Sequence, residues 1–230
     1  MAGQRMKNSS IPSLGCAAVA AVGRPRARAN ICPDQPAFRR TQATKNLAKA
    51  VTPMNEPALI TEEYREMQQQ LHQNPNYGVA SIHFAPLVAQ VINEIGAQEL
   101  LDYGAGKGRL GQTLKQHVSR PLNIRHYDPA IPEWSAKAEP SGLVACIDVL
   151  EHIEPVLLDN VLDDLQRVTA GVGVYTVHTG AAVKVLPDGR NAHLIQQPPA
   201  WWLPRFLQRF ELVRFDRMEN GFWIIVERKQ

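Results

Sequence analysis

Among the 230 residues there are three cysteines, Cys16, Cys32 and Cys146, and none stand in a C-x-x-C spacing. That odd, unpaired set argues against a disulfide framework and against a zinc site built from thiolates, so a cytoplasmic compartment is expected. No apolar run approaches the roughly 18 residues of a membrane span, and "IPSLGCAAVAAVG" is not apolar enough for confident export. Acidic residues are scarce at one end only. Residues 1–50 hold nine Lys or Arg against Asp34 alone, which leaves 16 basic and 21 acidic residues of the totals 25 and 22 for the remainder. A body of that sign offers no general attraction to a phosphate backbone, so nucleic acid remains a partner only through the basic leader.

Two phosphate-binding signatures are absent as well. A Walker loop needs Gly-x-x-x-x-Gly-Lys-Ser/Thr, but here Lys107 precedes Gly108 and Arg109 follows, so no hydroxyl is placed for magnesium. A dinucleotide loop needs Gly-x-Gly-x-x-Gly, and the spacing here is Gly104-x-Gly106-x-Gly108, a shorter turn.

What is present divides near Met54. Residues 1–53 show no helical or strand period and read as a disordered leader. Residues 54–230 read as a single domain, opened by an N-terminal helical cap over 54–96. Its first helix has Thr61 as N-cap, and its second carries Pro86 early and stops at Gly96. Strands and helices then alternate through "ELLDYG", "GRLGQTLKQH", "LNIRHYD", "LVACIDVLEHI", "PVLLDNVLDDLQRV" and "GVGVYTVHT". Two further strands flank Glu219-Asn220-Gly221, a tight-turn signal. This pattern predicts an α/β fold: an open, mostly parallel, doubly wound sheet with a C-terminal antiparallel hairpin.

Chemistry enters at the strand ends. Asp102, beside a close-packed backbone, would repel phosphate and pair with an ammonium, which suits a cofactor with an amino-acid end. Asp128 ends the second strand in "IRHYDP", where its two oxygens can accept both hydroxyls of a ribose. Asp148 ends the third, at the edge where open sheets bind ligands.

In that order, "LLDYGAGKG", Asp128 and "DVLEHI" resemble the class I S-adenosylmethionine-dependent methyltransferases over about residues 98–180. The resemblance implies a Rossmann-like transferase with S-adenosyl-L-methionine as cofactor. It implies that Gly104 and Gly106, with Ala105 between them, line the methionine portion. Asp128 with Pro129 would hold the ribose, and Asp148 with Val149 would lie near cofactor and substrate. The chain departs from the family between Asp128 and Cys146, where there is barely room for the usual extra strand. Ile131 and Trp134 are the expected adenine walls in its place.

The acceptor is expected to be a small or flat polar molecule. His178 ends a strand at the cleft, and His193 lies in "DGRNAHLIQQPPAWW"; both are catalytic candidates. Asn191, Trp201 and Trp202 of that segment are expected to bind substrate, with Tyr77 and His83 contributing a lid. Two alternatives stand beside this reading. Asp148-x-x-Glu151-His152 with His193 resembles the metal-binding pattern of RNA 3′-terminal 2′-O-methyltransferases. With Asp in the first position and an acidic body, no metal is expected. The second is a non-catalytic cofactor-binding partner subunit.

Overall fold

The alternating apolar stretches become six strands: β1 (Glu99–Tyr103), β2 (Asn123–Tyr127), β3 (Ser141–Ile147), β4 (Thr169–His178), β5 (Phe210–Met218) and β6 (Gly221–Arg228). The computed structural model describes residues 56–229, so the basic leader lies outside the described residues. One sheet holds the strands in the order β2-β1-β3-β4-β6-β5. The first four are parallel, β6 runs antiparallel to β4, and β5 antiparallel to β6. The Rossmann-like, mostly parallel sheet with an antiparallel C-terminal pair is as the alternation predicts.

The central strands are apolar on both faces, as buried parallel strands must be. With a period of two, Leu101, Tyr103, Val144, Cys146, Tyr175 and Val177 feed one core, and Leu100, Leu143, Ala145 and Val174 feed the other. Helix α4 (Leu158–Val168) covers the first face with Leu158, Val161, Leu162 and Leu165, spaced three and four apart. Helix α5 (Pro199–Arg209) packs beside it through Trp202 and Phe206. Arg209 joins the two helices through Asp163 and Asp159 on α4.

The opposite face is covered by α2 (Ala80–Ile95) and α3 (Arg109–Leu114), through Val88, Val91, Ile92, Leu110 and Leu114. Thus α2 packs on the sheet, and only α1 (Glu62–His72) lies over the strand ends as a cap. Its N-cap is Thr61, whose hydroxyl accepts from the Tyr64 N–H, and α2 stops at Gly96 in the left-handed region.

Two local details differ from the sequence expectation. The stretch "PPAWW", expected to bind substrate through its tryptophans, opens α5, because Pro199 sits in the first turn where its missing N–H costs nothing. The Glu219–Asn220 turn joins β5 to β6 with no positive φ at Asn220 or Gly221. Gly221 is needed for another reason: a Cβ there would meet the Val177 carbonyl oxygen at 2.2 Å. Between β2 and β3 there is only a short 3-10 turn, Pro132–Trp134, so the extra edge strand is absent, as the short spacing suggested.

Candidate functional site

The glycine turn after β1 is clamped to the tip of β2 by backbone groups. Gly104 and Ala105 donate to the Tyr127 carbonyl at 2.7 and 3.0 Å, and Gly106 donates to Asp128 Oδ2 at 2.8 Å. The other Asp128 oxygen accepts from the Ala130 N–H at 2.9 Å. Gly104 has φ 75° and packs so closely on the chain after β3 that a Cβ would meet Val149 Cγ2 at 2.5 Å. Any side chain here would be both strained and overlapped. Lys107 and Arg109 turn away from this cradle. Lys107 Nζ donates to the carbonyls of Asn74 and Tyr77, and Arg109 to that of Pro75, so these cations hold the loop that follows α1.

Beyond the turn opens a cleft of about 710 Å³, part of it open to solvent. Gly104, Asp128, Pro129, Asp148 and Val149 line it, together with Tyr77 and His152. Its lid is α1, which presents Tyr64, Gln68 and His72 at four-residue intervals. Gln68 Nε2 donates to the Tyr64 hydroxyl, which itself donates to the His152 carbonyl, while the Tyr77 hydroxyl donates to Gln68 Oε1. Glu154 accepts from both the N–H and the hydroxyl of Thr61, tying the start of the lid to the segment after β3. Burial pushes the Tyr64 and Tyr77 phenols above their ordinary range, so both are neutral donors.

The far wall of the cleft, formed by Asp148 and His152, is backed by further side chains. Asp148 sits at φ 60°, the one non-glycine residue with positive φ among those described, and its N–H donates to Thr176 Oγ1. Glu151 is fully buried; one oxygen accepts from the His178 N–H and Oε2 has no hydrogen-bond partner. Burial, then the neighbouring Asp148 carboxylate, pushes the Glu151 carboxyl well above the usual carboxylate range. His152 and His193 stand 4.7 Å apart by ring centroids, as do His193 and His178. Burial lowers the His152 imidazole to about 4 and also depresses His193, so both are neutral near pH 7.

The anticipated residues divide accordingly. Tyr77 belongs to the cleft, but the catalytic candidates His178 and His193 do not line it: they lie together behind His152, which does. Asp102 is 3% exposed and does not line the cleft; its carboxylate faces His126 Nδ1 at 3.3 Å across the β1–β2 pair, because those residues are in register. Ala105 and Gly106 contribute backbone to the clamp and do not line the cleft.

The substrate expectations need more correction. Trp202 is fully buried and stacks on Phe206 in the core, since it lies on the inward face of α5. Trp201 packs against the same core under the Arg205 guanidinium, 3.5 Å from its ring centroid. The Asn191 amide is spent on the loop itself, accepting from Ala182 and His193 N–H groups and donating to the Ala182 carbonyl. His83 lies on the exposed face of α2, away from the cleft. Trp134 lies 4.6 Å from the His126 ring, and neither it nor Ile131 lines the cleft.

The apolar walls are instead Leu59, Ile60, Val149 and Ile153. The lid residues Tyr64, Gln68 and His72 were missed, although their spacing was a usable signal. A helix whose inward face is polar and aromatic is facing a site and not a core.

Comparison with known proteins places the fold. No protein-family model matches the sequence, and no curated protein matches it. Solved structures do. The chain is similar to the 1,6-didemethyltoxoflavin-N1-methyltransferase of Burkholderia thailandensis, solved with 1,6-didemethyltoxoflavin and S-adenosylhomocysteine: TM-score 0.54, 13% identity, 77% of this chain and 94% of that one. It is also similar to the N-methyltransferase NodS of Bradyrhizobium japonicum WM9, in complex with S-adenosylhomocysteine: TM-score 0.51, 11% identity, covering 72% and 98%. The magnesium protoporphyrin IX methyltransferase of Synechocystis PCC 6803 with bound S-adenosylhomocysteine matches at TM-score 0.50 and 12% identity, over 73% and 95%. At these identities the likeness establishes a shared Rossmann-like fold.

Proposed function

We propose that the chain is an S-adenosylmethionine-dependent methyltransferase acting on a small polar acceptor. One observation carries this reading: the glycine turn of β1, the Asp128 tip of β2 and Asp148 after β3 all face one cleft under a helical lid. The residues fit the cofactor. Gly104, whose packing on Val149 and positive φ exclude a side chain, leaves bare backbone at the cleft wall, and Asp128 presents a carboxylate at a strand tip. The fold shared with three methyltransferases whose structures hold S-adenosylhomocysteine supports it further.

When bound, the cofactor supplies an already activated methyl group, so the protein has only to align an acceptor, exclude water and manage a proton. Tyr64, Gln68 and His72 of the lid, with Tyr77, cover one side of the cleft. His152, neutral and at the cleft wall, is placed to accept a proton from an acceptor, with His193 behind it. A preference for flat acceptors loses its basis, because the tryptophans that would stack them are committed to α5 and its packing.

Calorimetry with S-adenosylmethionine, S-adenosylhomocysteine and NAD tests the proposal. The expected outcome is binding of the first two and not the third. No binding of either at about 1 mM, a standard free energy near −4 kcal/mol, sinks it.

A further inference from the structure

At the cleft wall Asp148 stands beside the buried Glu151, and the two carboxyl groups converge with an imidazole. A carboxylate oxygen from Asp148, another from Glu151 and a ring nitrogen of His193 all lie within 4.8 Å of one another. Two of these three groups are buried: Glu151 is 0% exposed and His193 is 7% exposed. Ligand bonds of about 2.1 Å put paired donors roughly 3 to 4 Å apart, so a closure of under about 1 Å would bring all three onto one ion.

Three further features point at a cation, each for its own reason. The Glu151 Oε2 atom is buried with no hydrogen-bond partner, while Oε1 is fixed by the His178 N–H. A buried oxygen left in that state is costly unless a proton shared with the neighbouring Asp148 carboxylate, or a cation in its place, satisfies it. His193 Nδ1 lies 2.7 Å from the Gly180 carbonyl oxygen, which can only accept, so the ring proton sits on Nδ1 and the Nε2 lone pair is free. His152 repeats this arrangement, with Nδ1 at 2.8 Å from the Ala192 carbonyl. A backbone carbonyl on one ring nitrogen is the usual way a protein orients the other toward a metal. Finally, Asp148, whose carboxylate belongs to the cluster, is held at positive φ, which the fold must sustain against strain.

We propose that Asp148, Glu151 and His193 form a site for a divalent transition-metal ion, with His152 beside it at the cleft wall. Two carboxylates and an imidazole favour Mn²⁺, Fe²⁺, Co²⁺ or Zn²⁺ over Mg²⁺, which avoids nitrogen donors, and three protein ligands leave coordination positions open. The site needs no bound cofactor to form, so it stands or falls separately from the methyl-transfer reading.

The test uses the full chain, untagged and stripped with chelator. It measures Mn²⁺ binding by calorimetry and Co²⁺ binding by visible absorption, with S-adenosylhomocysteine binding measured on the same samples. One ion per chain is expected, and the Co²⁺ bands should report nitrogen and oxygen donors. Glu151→Gln keeps an oxygen to accept from the His178 N–H, and His193→Gln removes the imidazole from a loop otherwise pinned by Asn191. Each is expected to weaken the metal by about 100-fold while leaving S-adenosylhomocysteine affinity within about twofold. Stripped wild-type protein that binds S-adenosylhomocysteine but neither metal at about 1 mM overturns the site. Metal binding undiminished in both folded variants overturns it too. Metal binding without S-adenosylhomocysteine binding leaves the site standing and removes the proposed function instead.

Discussion

On the glycine-turn side of the cleft the contacts are made by backbone: Gly104, Ala105, Gly106 and Ala130 N–H groups close onto Tyr127 and Asp128. On the histidine side they are made by side chains, Asp148, Glu151, His152, His178 and His193, drawn from three separate segments. The first side is rigid because its atoms are within a few bonds of β1 and β2. The second depends on the loop from Gly180 to Pro198 being pinned at several points, by Asn191, by Ile195 N–H to the Glu151 carbonyl and by the His152 ring. Substitutions on the two sides should therefore fail differently, one through the cofactor and the other through what lies beneath the loop.

The largest expected effect breaks the support of the histidine side. Trp202→Ala removes a fully buried indole from between Trp201, Phe206 and the rest of the first core. Such a cavity costs about 3–5 kcal/mol. At roughly 2–4 °C per kcal/mol for a domain of this size, the melting temperature should fall by about 6–20 °C. Thermal unfolding checks this. An unchanged melting temperature with lost methyl transfer would return Trp202 to the substrate site.

A smaller effect tests the backbone side. Asp128→Ala deletes the acceptor of both the Gly106 and Ala130 N–H groups, and with it the carboxylate at the strand tip. Cofactor binding should weaken by about 1–3 kcal/mol, with metal binding at Asp148, Glu151 and His193 unchanged. Calorimetry with S-adenosylhomocysteine and with Mn²⁺ separates the two. Equal losses for both ligands would mean that the sides are not independent.

The same division explains what the sequence disclosed. Six strands, their order of appearance and the missing edge strand follow from local period and spacing. The glycine turn and Asp128 are likewise neighbours through a single βαβ step. The histidine side required knowing that β4 leads into a loop that folds back over Glu151, a tertiary fact that no period records. Trp202 misled for a related reason: Gln196, Gln197, Pro198 and Pro199 look like loop, yet a proline pair can also start a helix, and inward-facing indoles then become core. The lid was visible as Tyr64, Gln68 and His72 at four-residue spacing, but only in a helix already placed over the strand ends.

His72 joins the two sides, and its titration gives the smallest expected effect. The ring lies against the glycine turn, where a Cβ on Gly106 would meet His72 Cε1 at 2.9 Å, and it stands 5.0 Å from Tyr77 by centroids. Burial lowers its pKa, opposed by the Asp128 carboxylate and assisted by the Lys107 and Arg109 cations. A depressed value means that the folded chain favours the neutral ring. Stability from this source is therefore complete above the unfolded value of about 6.5 and is lost as pH falls below it, since the unfolded chain binds the proton more readily. His152 and His193 are depressed as well and act with the same sign, so the wild-type slope alone cannot identify His72. The difference between wild type and His72→Gln can. Between pH 7.5 and 5.5 the variant should gain on the wild type in melting temperature, because it lacks the ring whose protonation favours the unfolded chain. Melting curves of both proteins across that range decide it. A difference that stays constant would place the His72 ring in water, and the lid would then be open over the glycine turn.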